Sequence, residues 1–244
     1  SSAASDVYKR QPFALWVRGD TRLDALVRRS VTVVGTRAAT RYGEQVTRSF
    51  AGDLADAGFS LISGGAIGID AIAHRASLES KMPTVVVMAC GLDVSYPKAH
   101  GDLFEQIVAA GGMLISEYPP GTPPARHRFL TRNRLAAALG QATLVVEAPQ
   151  RSGALNTLNW AEAFVKPTFA VPGPVTSHAS LGCLDRIRTA RATLAVNARD
   201  LIEELTPLGE QMALGLGQED RSFLPSWEHL AIIDACLLYT SPSP

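Results

Sequence analysis

The strongest constraint on the fold is a regular alternation of short apolar runs with amphipathic stretches. The apolar runs are rich in β-branched residues, and the stretches between them have helical periodicity. Continuous apolar strands separated by helices are typical of a parallel sheet covered on both faces. The pattern predicts an α/β fold with strands at 31–35, 59–63, 84–89, 113–116, 143–148, 168–171 and 192–196, and helices at 43–57, 68–80, 100–110, 132–139, 153–165 and 199–205.

The two ends of the chain differ from this alternating part. Residues 1–11 and 236–244 resemble translated adapter sequence, and we expect both to be non-native ends. A Pro/Gly-rich composition predicts that residues 206–235 are a linker and the start of a truncated C-terminal segment. Residues 12–205 then form one domain.

The segment 116–153 concentrates positive charge in a chain whose formal net charge is zero. No Asp or Glu occurs from Tyr118 to Val146. Guanidinium groups bind phosphate and an aromatic ring stacks on any base, so this segment suits a flexible single strand of nucleic acid. A solvated helix start with one core Phe is an equally valid interpretation. Four arginines lie within nine positions around Phe129: Arg126, Arg128, Arg132 and Arg134.

Composition limits the other classes of function. A neutral chain is not a globally basic binder, so any nucleic-acid site must be a patch. Cys90, Cys183 and Cys236 are too widely spaced for a zinc site or a disulfide framework and suit a reducing cytoplasm. No apolar run reaches the about 18 residues of a membrane span, and the N-terminus has no signal-peptide core. We expect a cytoplasmic protein with no metal, cofactor or membrane contact.

Glycine turns follow the predicted strands at the edge where such sheets bind ligands. Arg37 follows the first strand, and the second runs into the turn Ser63-Gly64-Gly65, whose N–H groups could cradle an anion. Ser152 opens another helix with the same potential. The turn is neither a dinucleotide-binding nor a P-loop motif, because position 63 is Ser and no Gly-Lys-Ser/Thr follows.

Four titratable residues are candidates for acid–base catalysis. Asp70 and His74 share one face of a predicted helix, and Glu117 and Glu147 end the fourth and fifth strands. Two carboxylates above one sheet could form a hydrolase pair. We favour structural roles, namely helix-dipole placement for Asp70, a hydrogen bond for His74 and arginine anchoring for both glutamates. Since no activated nucleophile or metal-ligand spacing accompanies them, we predict that the chain is not an enzyme.

Seven motifs occur in an order and spacing that resemble the DNA-processing protein A family (DprA, also called Smf), over roughly residues 12–205. The resemblance implies a Rossmann-like doubly wound, mostly parallel sheet with helices on both faces. It further implies single-stranded DNA binding, a homodimer, and help in loading the RecA recombinase during natural transformation and recombination. The motifs are VVGTR, SGGAIGIDAIAHR, GLDVSYP, LISEYPPG, FLTRNRLAAAL, LVVEAPQRSGAL and FAVPGPV.

The resemblance also implies which residues form the DNA site. In the family, the arginine after the first strand and the basic and aromatic residues before the RNR motif line the pocket. Asn133 either holds a loop or bonds a base, and the glycine turn supplies backbone contacts. The predicted DNA-binding residues are Arg37, Ser63, Gly64, Gly65, Arg126, Phe129, Arg132, Asn133, Arg134 and Ser152.

Three functions are open at this point. The first, which we favour, is non-enzymatic binding of single-stranded DNA. The second is hydrolysis of nucleoside monophosphates, as in a related Rossmann-like group whose PGGxGTxxE element does not occur here. The third is an interaction or sensor domain that binds a small nucleotide.

Overall fold

Residues 12–206, which the computed structural model describes, are organised around one eight-stranded sheet. The strands are β1 (Trp16–Arg18), β2 (Ser30–Val34), β3 (Ser60–Ser63), β4 (Thr84–Met88), β5 (Met113–Ser116), β6 (Ala142–Val145), β7 (Thr168–Ala170) and β8 (Thr193–Leu194). The helices are α1 (Leu23–Val27), α2 (Arg41–Asp56), α3 (Ile69–Glu79), α4 (Gly101–Ala109), α5 (Arg126–Leu139), α6 (Gly153–Ala163), α7 (Leu181–Arg188) and α8 (Ala198–Leu205).

The strands lie in the order β1-β5-β4-β3-β2-β6-β7-β8. β1 runs antiparallel to β5, and every other neighbouring pair is parallel. The predicted α/β class, a doubly wound and mostly parallel sheet with helices on both faces, is confirmed.

Burial on both sides explains why the central strands are apolar throughout. Every residue of β2 to β6 is buried. Successive side chains point to opposite faces, so Val31 and Val33 pack with residues of α2, α3 and α8, whereas Val34 packs with residues of α6. Full burial of one such side chain contributes about 1.5–3 kcal/mol, which holds the strand ends in fixed positions.

The strand order opens a crevice above β2 and β6. From β2 the chain adds β3, β4 and β5 in one direction, then returns to add β6 and β7 on the other side of β2. The connections after β2 and β6 therefore leave in opposite directions, and the gap between them at the carboxyl ends is where open α/β sheets bind ligands.

Several elements escape prediction from the sequence pattern. β1, α1 and α7 are not predicted. β1 and α1 have only three and five residues, which is too short to show a strand or helix periodicity of apolar residues. α5 begins at Arg126, six positions before the predicted start at 132. Its first half has no continuous apolar face, since several of its side chains line a cavity and not the core. The predicted ends 1–11 and 236–244 lie outside the described residues, as does the predicted linker apart from Thr206.

Candidate nucleic-acid interface

A cavity of about 760 Å³ occupies the crevice above β2 and β6, and we call it the crevice pocket. Its size is within the roughly 300–1,000 Å³ of ligand pockets. It is bounded by the end of β2, the glycine turn before α3, the Tyr96 loop, the first half of α5 and the start of α6. The predicted residues that line it are Arg37, Gly64, Arg126, Phe129, Arg132, Asn133 and Ser152.

Phe129 is the centre of an aromatic and cationic wall of this pocket. Its ring centroid is 5.4 Å from that of Tyr96, with the two rings tilted by 48°. The guanidinium carbon of Arg37 lies 5.3 Å from the Phe129 centroid, which is a cation–π contact. Phe129 is half-buried and belongs to none of the hydrophobic clusters of the described core. It forms a cavity wall and is not a core residue.

Three exposed arginines surround the opening of the pocket: Arg37, Arg126 and Arg151. Arg126 is the first residue of α5, and the first turn of this helix contains no acidic side chain. A cation at a helix N-terminus opposes the helix dipole at a cost of about 0.3–1 kcal/mol. An anion bound beside Arg126 would offset that cost, so this end of the pocket favours anionic ligands.

Arg132 is a different kind of arginine, because it is only 6% exposed. Its Nη1 donates to the Val87 carbonyl at 2.5 Å, and its Nε has no hydrogen-bond partner among the described residues. The guanidinium lies directly against Gly64, where a Cβ would collide with it. Burial lowers the pKa of Arg132, while the nearby Asp70 carboxylate opposes that shift. Gly64 is therefore required for close approach of this side chain.

The glycine turn is already occupied by a carboxylate of the same chain. The N–H groups of Gly64 and Ala66 both donate to Asp70 Oδ2, at 3.1 and 3.3 Å. Burial raises the pKa of Asp70, and the charge of Arg132 and these two donors act in the opposite direction. The prediction that the N–H groups of this turn could cradle a ligand anion is wrong for Gly64, because the Asp70 side chain folds back over the start of its own helix and accepts from this N–H.

Ser63 and Gly65 lie behind the pocket and do not line it. The Ser63 hydroxyl is fully buried and donates to the Val33 carbonyl at 2.6 Å. The Gly65 carbonyl is 2.9 Å from Nδ1 of the buried His100, which must donate because a carbonyl only accepts. Both residues fix the turn in place, which gives Gly64 and Ala66 a defined position on the pocket wall.

Asn133 and Ser152 organise the start of α6. Asn133 Nδ2 donates to the Gly153 carbonyl at 3.1 Å, and the Ser152 hydroxyl accepts from Ala154 N–H at 3.2 Å as the N-cap of α6. Of the two roles expected for Asn133, holding a loop is the one that this contact supports. Both side chains still border the pocket.

Arg134 lies outside the crevice pocket and forms an ion pair with Glu117. The two side chains are 14% and 11% exposed. The predicted anchoring of an arginine by Glu117 is therefore confirmed. Arg128, in turn, donates to the Pro123 carbonyl, and its guanidinium lies over the ring of Tyr118 at 5.3 Å.

The same prediction is wrong for Glu147. Its carboxylate accepts from the N–H and hydroxyl of Thr40, at 3.0 and 2.6 Å, and thereby holds the N-terminus of α2. A Cβ at Gly43 would collide with this carboxylate. Glu147 is only 1% exposed. Its partner is not evident from sequence because Thr40 lies 107 positions away.

His74 has the structural hydrogen bond that we predict for it. Its Nδ1 is 2.8 Å from the Thr84 hydroxyl, which itself donates to the Leu61 carbonyl, so His74 is the donor. Burial lowers the pKa of His74 to about 3, and the charges of His100, Arg132 and Arg75 add to this. Among residues 12–206 no group of three or more His, Cys, Asp or Glu side chains could hold a metal ion.

Among the pocket-wall residues that sequence reasoning missed, Tyr96 and Arg151 are the ones whose side chains can stack on a base or bind a phosphate. Tyr96 is 40% exposed, and only the fold brings its loop to Phe129. Arg151 directly precedes Ser152, so the predicted helix start at Ser152 was a signal that could have identified Arg151 as well. No helix within the described part of the chain is both long and apolar enough to span a membrane.

The sequence has clear relatives. The family model of DNA recombination-mediator protein A matches residues 2–206. A Mycobacterium tuberculosis relative is 52% identical over 199 residues, which cover 82% of this chain and 51% of the relative. Protein Smf of Escherichia coli is 38% identical over 194 residues, covering 80% and 51%. This chain thus spans about half the length of these curated relatives.

Solved structures share the fold. DNA processing protein A from Streptococcus pneumoniae superposes with a TM-score of 0.74 at 35% identity, covering 80% of this chain and 68% of that one. The Helicobacter pylori protein, whose structure concerns a unique single-stranded DNA binding mode, gives 0.72 at 31% identity, covering 80% and 87%. A molybdenum cofactor binding protein from Rippkaea orientalis gives 0.52 at 13% identity, which shows a shared fold alone. With a family model over residues 2–206 and structures of the same fold at more than 30% identity, this chain belongs to the DNA recombination-mediator protein A family, the DprA/Smf proteins.

Proposed function

We propose that the crevice pocket binds single-stranded DNA. The observation that carries this proposal is the aromatic wall of Phe129 and Tyr96 between the exposed cations Arg37 and Arg126. A phosphate backbone needs cations, and an unpaired base needs a ring on which to stack. Both needs are met within one cavity at the ligand-binding edge of the sheet.

A single strand fits this arrangement better than a duplex. In a duplex the bases are stacked on each other, so a base can reach Phe129 only after it leaves its stack. A single strand offers its bases without that cost. The Helicobacter pylori relative, at 31% identity, supports the same ligand class.

Nine of the ten predicted residues have one of four roles in this proposal, and the tenth, Arg134, lies elsewhere. Arg37, Arg126 and Phe129 contact the strand, and Gly64, Asn133 and Ser152 shape the pocket around it. Arg132 supports the wall from inside the fold, while Ser63 and Gly65 hold the turn. Arg134 lies in a separate groove beside α5.

Binding without turnover is the second part of the proposal. Each candidate acid–base group has a structural partner: Asp70 the glycine turn, His74 Thr84, Glu117 Arg134 and Glu147 Thr40. Groups held in this way are not positioned to move a substrate proton. We therefore propose that the protein binds DNA without catalysis.

We further propose a protein of the cytoplasm that forms a homodimer and helps load the RecA recombinase in DNA uptake and recombination. Membership of a recombination-mediator family supports this part of the proposal.

The test is an equilibrium titration of the whole chain with a labelled thymidine oligonucleotide. The competitors are the unlabelled oligonucleotide, a duplex of equal length, dTMP and ATP, and the mass of the complex is measured by sedimentation. We expect the unlabelled strand to compete far better than the duplex or either free nucleotide. A protein that binds dTMP or ATP as well as the strand, or that hydrolyses either, would instead be a nucleotide-binding or nucleotide-hydrolysing protein.

A further inference from the structure

A second groove adjoins the crevice pocket and has no role in the function proposed so far. This α5–α6 groove has a volume of about 350 Å³ and lies between the two helices. Leu130 and Asn156 line both cavities, so a ligand leaving the crevice pocket crosses them to enter the groove. The residues that line it are Leu130, Thr131, Arg134, Asn156 and Trp160.

The walls of the groove have the chemistry of a base site. Trp160 is half-buried, and its ring stacks on Phe164 with centroids 5.9 Å apart and planes 25° from parallel. This contact holds the indole in one orientation, so stacking on it requires little further ordering. Leu130 adds apolar surface that is 49% exposed. Asn156 accepts from Asn133 Nδ2 at 3.4 Å through its Oδ1, and its amide NH2 group can donate to a base edge.

The electrostatics of the groove do not suit a phosphate. Its one cation among the lining residues, Arg134, is paired with Glu117, and both side chains are largely buried. The pair carries no net charge, so the groove offers little attraction to a phosphate beyond hydrogen bonding. The exposed arginines nearest in function, Arg37, Arg126 and Arg151, line the crevice pocket and not the groove.

The groove begins at Leu130 and Asn156, where it meets the crevice pocket, and continues along both helices. Leu130 and Arg134 are separated by four positions on α5, as are Asn156 and Trp160 on α6, which is about 6 Å along each helix axis. The groove therefore extends about one helical turn beyond the boundary that it shares with the crevice pocket, so a strand held in the crevice pocket can continue into the groove.

We infer that the α5–α6 groove is a second base-stacking site, in which Trp160 receives a base of the same single strand that enters the crevice pocket. This inference rests on the proposed function. It adds a specific consequence, namely that affinity rises again once an oligonucleotide is long enough to extend from Phe129 to Trp160.

The test measures affinity for thymidine oligonucleotides lengthened one nucleotide at a time. Trp160→Leu removes the ring and keeps apolar bulk, Trp160→Phe keeps a ring, and Val165→Ala changes an exposed apolar residue just beyond the same helix. We expect Trp160→Leu to lose about 5- to 150-fold in affinity for long oligonucleotides, the range for one stacked base, and nothing for the shortest. Trp160→Phe should recover most of the loss, and Val165→Ala should match the wild type.

A fluorescence measurement checks the contact between Trp160 and a base without changing any residue of the groove. In a Trp16→Phe/Trp227→Phe background, Trp160 is the remaining tryptophan, and long oligonucleotides should quench its fluorescence while the shortest should not.

A salt titration tests whether the groove binds a phosphate instead of a base. The double variant Glu117→Gln/Arg134→Gln should keep the wild-type dependence of affinity on salt. A dependence shallower by about 0.7 would assign the groove to a phosphate and overturn the inference.

The remaining outcomes separate this inference from the proposed function. If Phe129→Ala weakens binding but Trp160→Leu binds every length like the wild type, the second site is wrong and the function stands. If Trp160→Leu converts an oligomer to a smaller species and lowers the affinity for oligonucleotides of every length equally, the groove is an interface between copies and the inference is wrong. If the wild type binds no oligonucleotide, the proposed function itself fails.

Discussion

The arginines of the predicted DNA site fall into two groups that the fold treats in opposite ways. Arg37 and Arg126 are exposed at the crevice pocket. Arg132 is buried and bonded to the Val87 carbonyl, and the largely buried Arg134 is paired with Glu117. An exposed arginine keeps its charge available for a ligand. A buried arginine uses its charge within the protein and fixes the elements that it joins. Arginines that are neighbours in sequence therefore serve two different functions, ligand binding and stabilisation of the fold.

The largest expected effect is on the buried group. Arg132→Met removes the hydrogen bond to the Val87 carbonyl, which as a bond to a charged group contributes about 1.5–3 kcal/mol. It also removes the positive charge that favours the ionised form of the buried Asp70, which adds to the loss. We expect a fall of at least this size in the free energy of unfolding, measured by urea denaturation. Arg126→Met is the matched control on the same helix and should not lower stability, because it removes an exposed cation that opposes the helix dipole. Equal stability of the two variants would remove the distinction between the groups.

Charge removal in the exposed group should act on binding. Arg37→Gln and Arg126→Gln should each weaken binding of a thymidine oligonucleotide by about 1.5–3 kcal/mol, the value of a hydrogen bond to a charged group. Neither should alter the melting temperature by more than a few degrees. Arg188→Gln, which removes an exposed arginine from α7, serves as the control for total charge. Weakening by Arg188→Gln to the same extent would mean that net charge, and not the pocket, determines affinity.

Phe129 connects the two groups, because it contacts Arg37 from a helix that also carries Arg132. Phe129→Ala should lose about 1–3 kcal/mol of DNA binding with little loss of stability. Phe104→Ala, in the packed core, should instead lose about 3–5 kcal/mol of stability. If the Phe129 variant melts at as low a temperature as the Phe104 variant, and binds DNA normally when folded, Phe129 is a core residue and does not stack on a base.

The smallest effect is a pH dependence on the buried side. His74 has a pKa of about 3 in the folded chain, against an ordinary 6.5. Between these values the unfolded chain binds more protons, so stability rises with pH and is lost as pH falls from 6.5 toward 3. At pH 5.5 the loss is about 1.4 kcal/mol. His74→Asn can still donate to Thr84 and does not titrate.

Stability of the wild type relative to His74→Asn should therefore decline below pH 6.5, as measured by urea denaturation at several pH values. A constant difference between the two proteins across that range would show that the folded pKa of His74 is near its ordinary value.

The parts of the fold that sequence predicts are those with a local cause. β2 to β6 are continuous apolar runs because both sides of each strand are buried, and their positions follow from that pattern. α5 is longer than predicted because its first half, with Arg126 and Phe129, lines a cavity and has no apolar period.

The site divides along the same line. Arg37, Arg126 and Phe129 are visible in sequence as residue types in a cluster. The partner of Arg132 is not, because Val87 lies 45 positions away. Anchoring of an arginine by Glu117 is predicted, but which arginine it anchors is not, because Arg134 lies 17 positions away. Tyr96 likewise reaches Phe129 only through the fold. Residue type predicts what a side chain can bind, whereas long-range contacts decide whether it is available.

The dependence of DNA affinity on salt tests the central claim most directly. Each phosphate that the protein neutralises on a single strand contributes about −0.7 to the slope of log affinity against log salt concentration. The double variant Arg37→Gln/Arg126→Gln should bind a thymidine oligonucleotide with a slope shallower than the wild type by about 1.4. An unchanged slope in a folded double variant would contradict the claim that the exposed arginines of the crevice pocket bind the DNA backbone.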